Sequence, residues 1–233
     1  MQPTLFLIPN TLGDDNPENV LPFYVLEIIR GLQHFIVENE RNARRFLIRC
    51  KYTHPIDTIQ FFILNKHTPR EETFNFLRPL KQGFSIGLIS EAGAPGIADP
   101  GSEIVSLAHK SNFQVRPLTG PSSILLAMMA SGMNGQQFTF HGYLPVKPGE
   151  RKAMIREIEL TARKKGSSHI FMETPYRNMA LFSSLMETCH ENTRLCIACE
   201  ISLKEEYIRT QTIKEWKKER VDLNKRPCIF IIG

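Results

Sequence analysis

Ile86-Gly87-Leu88-Ile89 carries no polar residue on either side of its alternation, so a strand built from it must be covered on both faces. That requirement selects a parallel sheet between helices over an antiparallel sheet with one wet face. The run leads directly into Ser90-Glu91-Ala92-Gly93-Ala94-Pro95-Gly96-Ile97-Ala98-Asp99-Pro100-Gly101. A helical stripe follows at positions 104, 105, 107 and 108 between Ser102 and Lys110, with Ser102 the expected N-cap. Strand, loop and helix together place the loop at the carboxyl edge of a parallel sheet, where open α/β sheets bind ligands.

The same alternation recurs along the chain. Leu5–Ile8, His34–Val37, Ile59–Leu64, Ser85–Ile89 and Gln114–Leu118 read as strands of a first domain, 1–118, whose sheet is mainly parallel. The breaker cluster Thr119-Gly120-Pro121-Ser122 opens a second domain, 119–233, with a helix from Ser123 to Ser131. There Phe138–His141, His169–Met172, Leu195–Cys199, Tyr207–Thr212 and Cys228–Ile232 read as strands, and Glu150–Lys165, Arg177–His190 and Ile213–Arg220 as helices. Strands 195–199 and 207–212 are joined by a short polar connection, which predicts an antiparallel pair and a mixed second sheet. The fold class is therefore α/β, in two domains.

A chain of 233 residues with 42% hydrophobic and 23% charged residues has enough apolar material for two such cores, which excludes a disordered chain. The apolar stretch from Ser122 to Met133 is too short to span a bilayer, and residues 1–9 read as a first strand rather than a signal peptide, which predicts a cytoplasmic setting. Five cysteines without framework spacing read as free thiols. Cys196-Ile-Ala-Cys199 is a C-x-x-C match without a second ligand pair, so no metal is expected.

The glycine-rich loop holds three glycines for close backbone approach and two prolines that limit its freedom, so it reads as preformed. Neither phosphate-binding glycine pattern is present, and its charged residues are Glu91 and Asp99. Acidic groups favour a ligand with cationic or hydroxyl groups, a description that S-adenosylmethionine meets. From loop chemistry alone, a rigid turn capping a helix is the competing reading.

Ser90–Gly101 resembles the S-D-A-G-T-P-x-I-S-D-P-G signature of the tetrapyrrole methylase superfamily. Six further stretches agree in order: Pro9-Asn10-Thr11-Leu12-Gly13-Asp14, Glu38-Asn39-Glu40-Arg41, Leu118-Thr119-Gly120-Pro121-Ser122-Ser123, His141-Gly142-Tyr143-Leu144-Pro145, Glu173-Thr174-Pro175-Tyr176-Arg177 and Glu200–Glu206. Within the superfamily the chain most resembles the branch that 2′-O-methylates cytidine in small-subunit ribosomal RNA. The resemblance implies S-adenosylmethionine in a cleft between two α/β domains, touching Leu12, Ala92, Gly93, Ala94, Ile97, Ser122 and Ser123. It also implies substrate contacts from Glu38, Arg41, Glu173 and Arg177, an RNA partner and a homodimer. The chain departs from the signature at Glu91, Ala94 and Ala98, which removes two hydroxyls from the loop.

A ribose 2′-hydroxyl needs a base, and Glu38, Glu173, His141 and Lys204 are the candidates; the sequence does not choose among them. Residues 1–146 carry 12 basic and 12 acidic side chains and 147–233 carry 17 and 12, so the net +5 belongs to the second part. Arg41, Arg44, Arg45, Arg49 and Lys51 form a local basic cluster that reads as a contact for RNA phosphates or as a solvated helix face. Carbon methylation of a tetrapyrrole and a non-catalytic cofactor- or RNA-binding role are the alternative functions.

Overall fold

The computed structural model describes residues 2–13, 16–65 and 67–233. Met1 of the first-strand reading and Asp14 of the first-loop motif lie outside the described residues. The chain forms two compact units, Met1–Ser122 and Ser123–Gly233.

The first unit runs β1 (Thr4–Ile8), α1 (Phe23–Gly31), β2 (His34–Val37), α2 (Glu40–Arg49), β3 (Gln60–Ile63), the single turns α3 (Arg70–Thr73) and α4 (Arg78–Lys81), β4 (Ile86–Ile89), α5 (Ser102–Lys110) and β5 (Gln114–Pro117). Its sheet has the order β3-β2-β4-β1-β5 and every pairing is parallel. All four residues of β4 are buried, as an apolar strand inside the sheet must be. Alternation then divides the core between two faces. Ile8, Phe35, Val37 and Ile89 pack with Val25, Leu26 and Ile29 of α1 and Phe46 and Leu47 of α2. Leu5, Ile36, Ile86 and Leu88 pack on the opposite face with Phe76, Leu77, Leu80, Ile104 and Ala108. Burying each of these large side chains contributes roughly 1.5–3 kcal/mol, which fixes the strand register and hence where the loops leave the sheet.

The second unit runs α6 (Ser123–Ala130), β6 (Phe138–Tyr143), α7 (Pro148–Lys165), β7 (Ser168–Met172), α8 (Asn178–Thr188), β8 (Arg194–Cys199), β9 (Tyr207–Thr212), α9 (Ile213–Trp216) and β10 (Cys228–Ile232). Its sheet is mixed, in the order β6-β7-β10-β8-β9: β6 and β7 are parallel, and the other three pairings are antiparallel. Phe171, Phe230, Leu195 and Ile197 face Ile155 and Ile158 of α7, Leu181 and Leu185 of α8, and Trp216. The Trp216 indole is fully buried and donates to the Leu195 carbonyl at 2.9 Å, so its polar edge is satisfied.

Three expectations need correction. Gly101, at φ +131°, is the N-cap of α5, and Ser102 is the first helical residue. That positive φ favours glycine, and a Cβ there would meet Leu88 Cδ2 at 2.7 Å, so any side chain would have to displace Leu88 of β4. The helix after β9 stops at Trp216, because residues 217–220 are all polar and offer no apolar stripe to bury. The cysteines are not all free: Cys199 is disulfide-bonded to Cys228, its direct partner across β8 and β10. Cys196 and Cys199 lie three residues apart in one strand and point to opposite faces, so the C-x-x-C match cannot close on itself. Among the described residues no helix is long and apolar enough to cross a membrane.

Candidate active site

In the first unit β1 and β4 are neighbours whose chains leave in opposite directions. From β1 the chain passes through α1 on one face to β2, whereas from β4 it passes through α5 on the other face to β5. Connections that leave neighbouring strands toward opposite faces mark a switch point at the carboxyl edge, where open α/β sheets bind ligands. The loops that begin there are 9–13 and 90–101.

Asn10 ties these loops together. Its backbone amide donates to the Gly93 carbonyl at 2.8 Å, and the Gly93 amide donates back to the Asn10 carbonyl at 3.2 Å. Its side-chain amide donates to the carbonyls of Ser90 at 3.0 Å and Glu91 at 3.1 Å, while its Oδ1 accepts from the Thr11 amide at 2.8 Å. A buried asparagine thus satisfies backbone groups that two irregular loops would otherwise leave unpaired. Sequence reasoning missed this role; the only local signal is an asparagine directly after a strand and a proline.

Around this latch the structure gathers most of the predicted cofactor residues. Gly93 is buried with φ +65°, and a Cβ built there would lie 3.3 Å from Leu12 Cδ2 and 3.6 Å from the Pro121 carbonyl. Leu12, Gly93 and the segment leading to Ser122 are therefore adjacent within the first unit. Ala92 is exposed, Ala94 is half-buried, and Ile97 leaves 54% of its surface open. Ser122 ends the first unit and Ser123 is the first residue of α6 in the second, both half-buried.

Three carboxylates accompany the loops. Glu38 Oε1 is buried without a hydrogen-bond partner among the described residues. Burial, followed by the charges of Asp99 and Glu91, raises the Glu38 pKa above the ordinary carboxylate value. Burial and then the Glu91 charge raise that of Asp99 as well. Glu91 itself accepts from the Asn42 side-chain amide on α2. A cluster of mutually repelling acids beside an open, glycine-lined turn suits a ligand that brings positive charge and hydroxyl donors. Glu91 and Asp99 could receive the ammonium and ribose hydroxyls of S-adenosylmethionine, and the small residues 92–94 leave room beside its sulfonium. The residues present therefore fit that cofactor.

The four predicted substrate residues divide between the units. Glu38 follows β2, and Arg41 stands exposed on α2 with no hydrogen bond or ion pair to any described residue. In the second unit Glu173 Oε1 accepts from the Thr174 amide at 2.7 Å, Arg177 Nε at 3.0 Å and Arg177 Nη2 at 2.6 Å. Its Oε2 is buried without a hydrogen-bond partner among the described residues. Arg177 is thus held by an internal, nearly buried carboxylate and keeps only its outer edge in solvent.

The remaining candidate bases differ in availability. His141 Nε2 lies 2.8 Å from His169 Nδ1, and His169 Nε2 lies 3.1 Å from Ser167 Oγ, which makes a linear Ser–His–His chain along β6 and β7. Burial lowers the pKa of both histidines, which favours their neutral form. Lys204 is exposed in the turn before β9.

Comparison with known proteins identifies the family of the chain. The family described as Tetrapyrrole (Corrin/Porphyrin) Methylases matches residues 17–217. A protein of Buchnera aphidicola subsp. Schizaphis graminum named "Ribosomal RNA small subunit methyltransferase I" is 28% identical over 231 residues, 98% of this chain and 77% of its own length. Among solved structures, the methyltransferase CobJ superposes with a TM-score of 0.65 at 15% identity, covering 100% of this chain and 94% of that one. Diphthine synthase superposes with a TM-score of 0.66 at 13% identity, covering 98% and 88%. These two likenesses concern the fold. The chain belongs to the tetrapyrrole (corrin/porphyrin) methylase family and is an S-adenosylmethionine-dependent methyltransferase.

Proposed function

We propose that the protein methylates small-subunit ribosomal RNA, at a ribose 2′-hydroxyl. The observation that carries the RNA substrate is the near full-chain match to the Buchnera protein of that name, and the acid-lined switch point of the first unit supports the cofactor side. Domains 1–118 and 119–233, a cytoplasmic location and a homodimer are part of the same reading.

Bound S-adenosylmethionine supplies an electrophilic methyl group on a sulfonium sulfur. The chain's own residues align it, exclude water and take the proton released from the hydroxyl. Leu12, Ala92, Gly93, Ala94, Ile97, Ser122 and Ser123 form the cofactor surface, with the Asn10 bridge holding the two loops in register. Glu91 and Asp99 would hold the cofactor's hydroxyl and ammonium groups, since a carboxylate beside the sulfonium would stabilise the charged ground state and slow transfer. Glu38 accepts the ribose proton: its pKa is raised and no cation among the described residues pairs with it, whereas Glu173 is held by Arg177 and His141 by His169. Arg41 and the outer edge of Arg177 meet substrate phosphates.

Labelled cofactor incubated with small ribosomal subunits lacking the modification, or with a tetrapyrrole, tests the reading. Label is expected in the RNA. Label in the tetrapyrrole alone, or in neither, overturns it.

A further inference from the structure

Three of the four arginines of α2, Arg44, Arg45 and Arg49, differ in their surroundings. Arg44 is bound to Glu40 at 2.9 Å and Asp57 at 3.2 Å, with its guanidinium 5.3 Å from the centre of the Phe61 ring. Arg49 donates to the Gly13 carbonyl at 3.2 Å and to Thr11 Oγ1 at 3.4 Å, which braces the first loop. Arg45 makes no hydrogen bond or ion pair with any described residue, although it stands on the wall of a cavity of about 530 Å³.

That cavity lies on the α2 side of the cofactor loops. Leu12, Ala92 and Glu91 line it, and Ile48, 62% exposed, adds an apolar side chain. Leu12 and Ala92 of the predicted cofactor surface line it and Gly93, Ala94, Ile97 and Ser122 do not, so it overlaps that surface at one edge and extends from it toward α2. Arg41, Arg45 and Ile48 share one stripe of the helix at i, i+4 and i+7, opposite the buried Ala43, Phe46 and Leu47. An unpaired cation one turn from an exposed aliphatic side chain, in a space large enough for a nucleotide, matches a phosphate joined to a sugar and base.

We propose that this cavity holds a nucleotide of the RNA strand next to the one methylated. Arg45 takes its phosphate and Ile48 lies against its sugar and base. The inference rests on the RNA reading above and names where the strand is gripped.

Arg45→Gln, with Arg44→Gln as a control on the same helix, tests it on unmodified small ribosomal subunits. Four quantities are read: KM for RNA, its dependence on salt, cofactor affinity by calorimetry and the melting temperature. For Arg45→Gln, KM should rise roughly tenfold and the logarithmic salt slope should become shallower by about 0.7, with the loss falling on KM rather than kcat. Cofactor affinity and melting temperature should stay at wild-type values. Arg44→Gln should lower the melting temperature without changing the salt slope, since its charge is already paired. An unchanged KM and salt slope in Arg45→Gln overturns the assignment, and so does weakened cofactor binding, which would give the cavity to the cofactor. If the wild-type enzyme methylates no RNA, the functional reading fails on its own. The cavity is then tested by filter binding of small-subunit RNA, where equal affinity of wild type and Arg45→Gln overturns it.

Discussion

Replacing Gly93 separates backbone strain from steric exclusion at the loop junction. Gly93 holds φ +65°, and both of its backbone polar groups are bonded to Asn10. An L-residue in that conformation costs roughly 1–2 kcal/mol, and at about 1.4 kcal/mol per tenfold this corresponds to a 5- to 30-fold loss of affinity if the bound loop keeps its shape. Gly93→Ala should therefore weaken cofactor binding by that factor, because its Cβ at 3.3 Å from Leu12 Cδ2 needs only a small adjustment. Valine adds two γ-carbons to a Cβ already in contact with Leu12 and near the Pro121 carbonyl, and a β-branched residue is a strong outlier at positive φ. The loop must then leave its conformation and lose the two Asn10–Gly93 bonds, at about 1–3 kcal/mol in stability. For a chain of this size the corresponding fall in melting temperature is roughly 2–12 °C. Calorimetric titration with S-adenosylmethionine, alongside thermal melts of wild type, Gly93→Ala and Gly93→Val, gives both quantities. The expected order is full, reduced and undetectable binding. A folded Gly93→Val with wild-type affinity would refute the placement of the cofactor against this turn.

Other perturbations probe the same edge. Glu38→Gln should raise the melting temperature at neutral pH while lowering kcat. The folded-state pKa of Glu38 is raised, so ionisation destabilises the fold as pH climbs from the ordinary carboxylate value through the raised one, and glutamine removes that cost. In the wild type, cofactor affinity should increase with pH through the raised pKa values of Glu38 and Asp99 and then level off, because a cationic ligand prefers the ionised carboxylates. An affinity that declines over that range would contradict the acidic cluster's role. Asn10→Ala strands the carbonyls of Ser90 and Glu91 and should cost about 1–3 kcal/mol in chemical denaturation, with weaker cofactor binding. Ala98 occupies φ +63°, so Ala98→Gly should stabilise the protein by roughly 0.5–1 kcal/mol, measurable as a higher denaturation midpoint.

The parts of the fold legible in the sequence are those where one residue type leaves one choice. The unbroken apolar run at 86–89 could be satisfied only inside a sheet, and it became β4, buried along its whole length. Strands His34–Val37, Tyr207–Thr212 and Cys228–Ile232 have the expected bounds, and the short polar link between β8 and β9 does join an antiparallel pair. What could not be read depends on contacts distant in the chain. The pairing of Cys199 with Cys228 follows from strand order, which local pattern does not encode. The latch formed by Asn10 needs Ser90, Glu91 and Gly93, some eighty residues away. Arg44 and Arg45 are identical neighbours in the sequence, and only tertiary structure shows that Asp57 and Phe61 engage one while the other faces a cavity.

Ribose methylation can be read from the product itself. A 2′-O-methyl group removes the hydroxyl that attacks the adjacent phosphodiester in alkali, so that linkage alone survives complete hydrolysis. Small ribosomal subunits lacking the modification, labelled by this protein with methyl-tritiated S-adenosylmethionine and digested with alkali, should yield the tritium in an alkali-stable dinucleotide. Tritium recovered in mononucleotides would place the methyl group on a base and contradict ribose methylation; RNA free of tritium would contradict the RNA substrate.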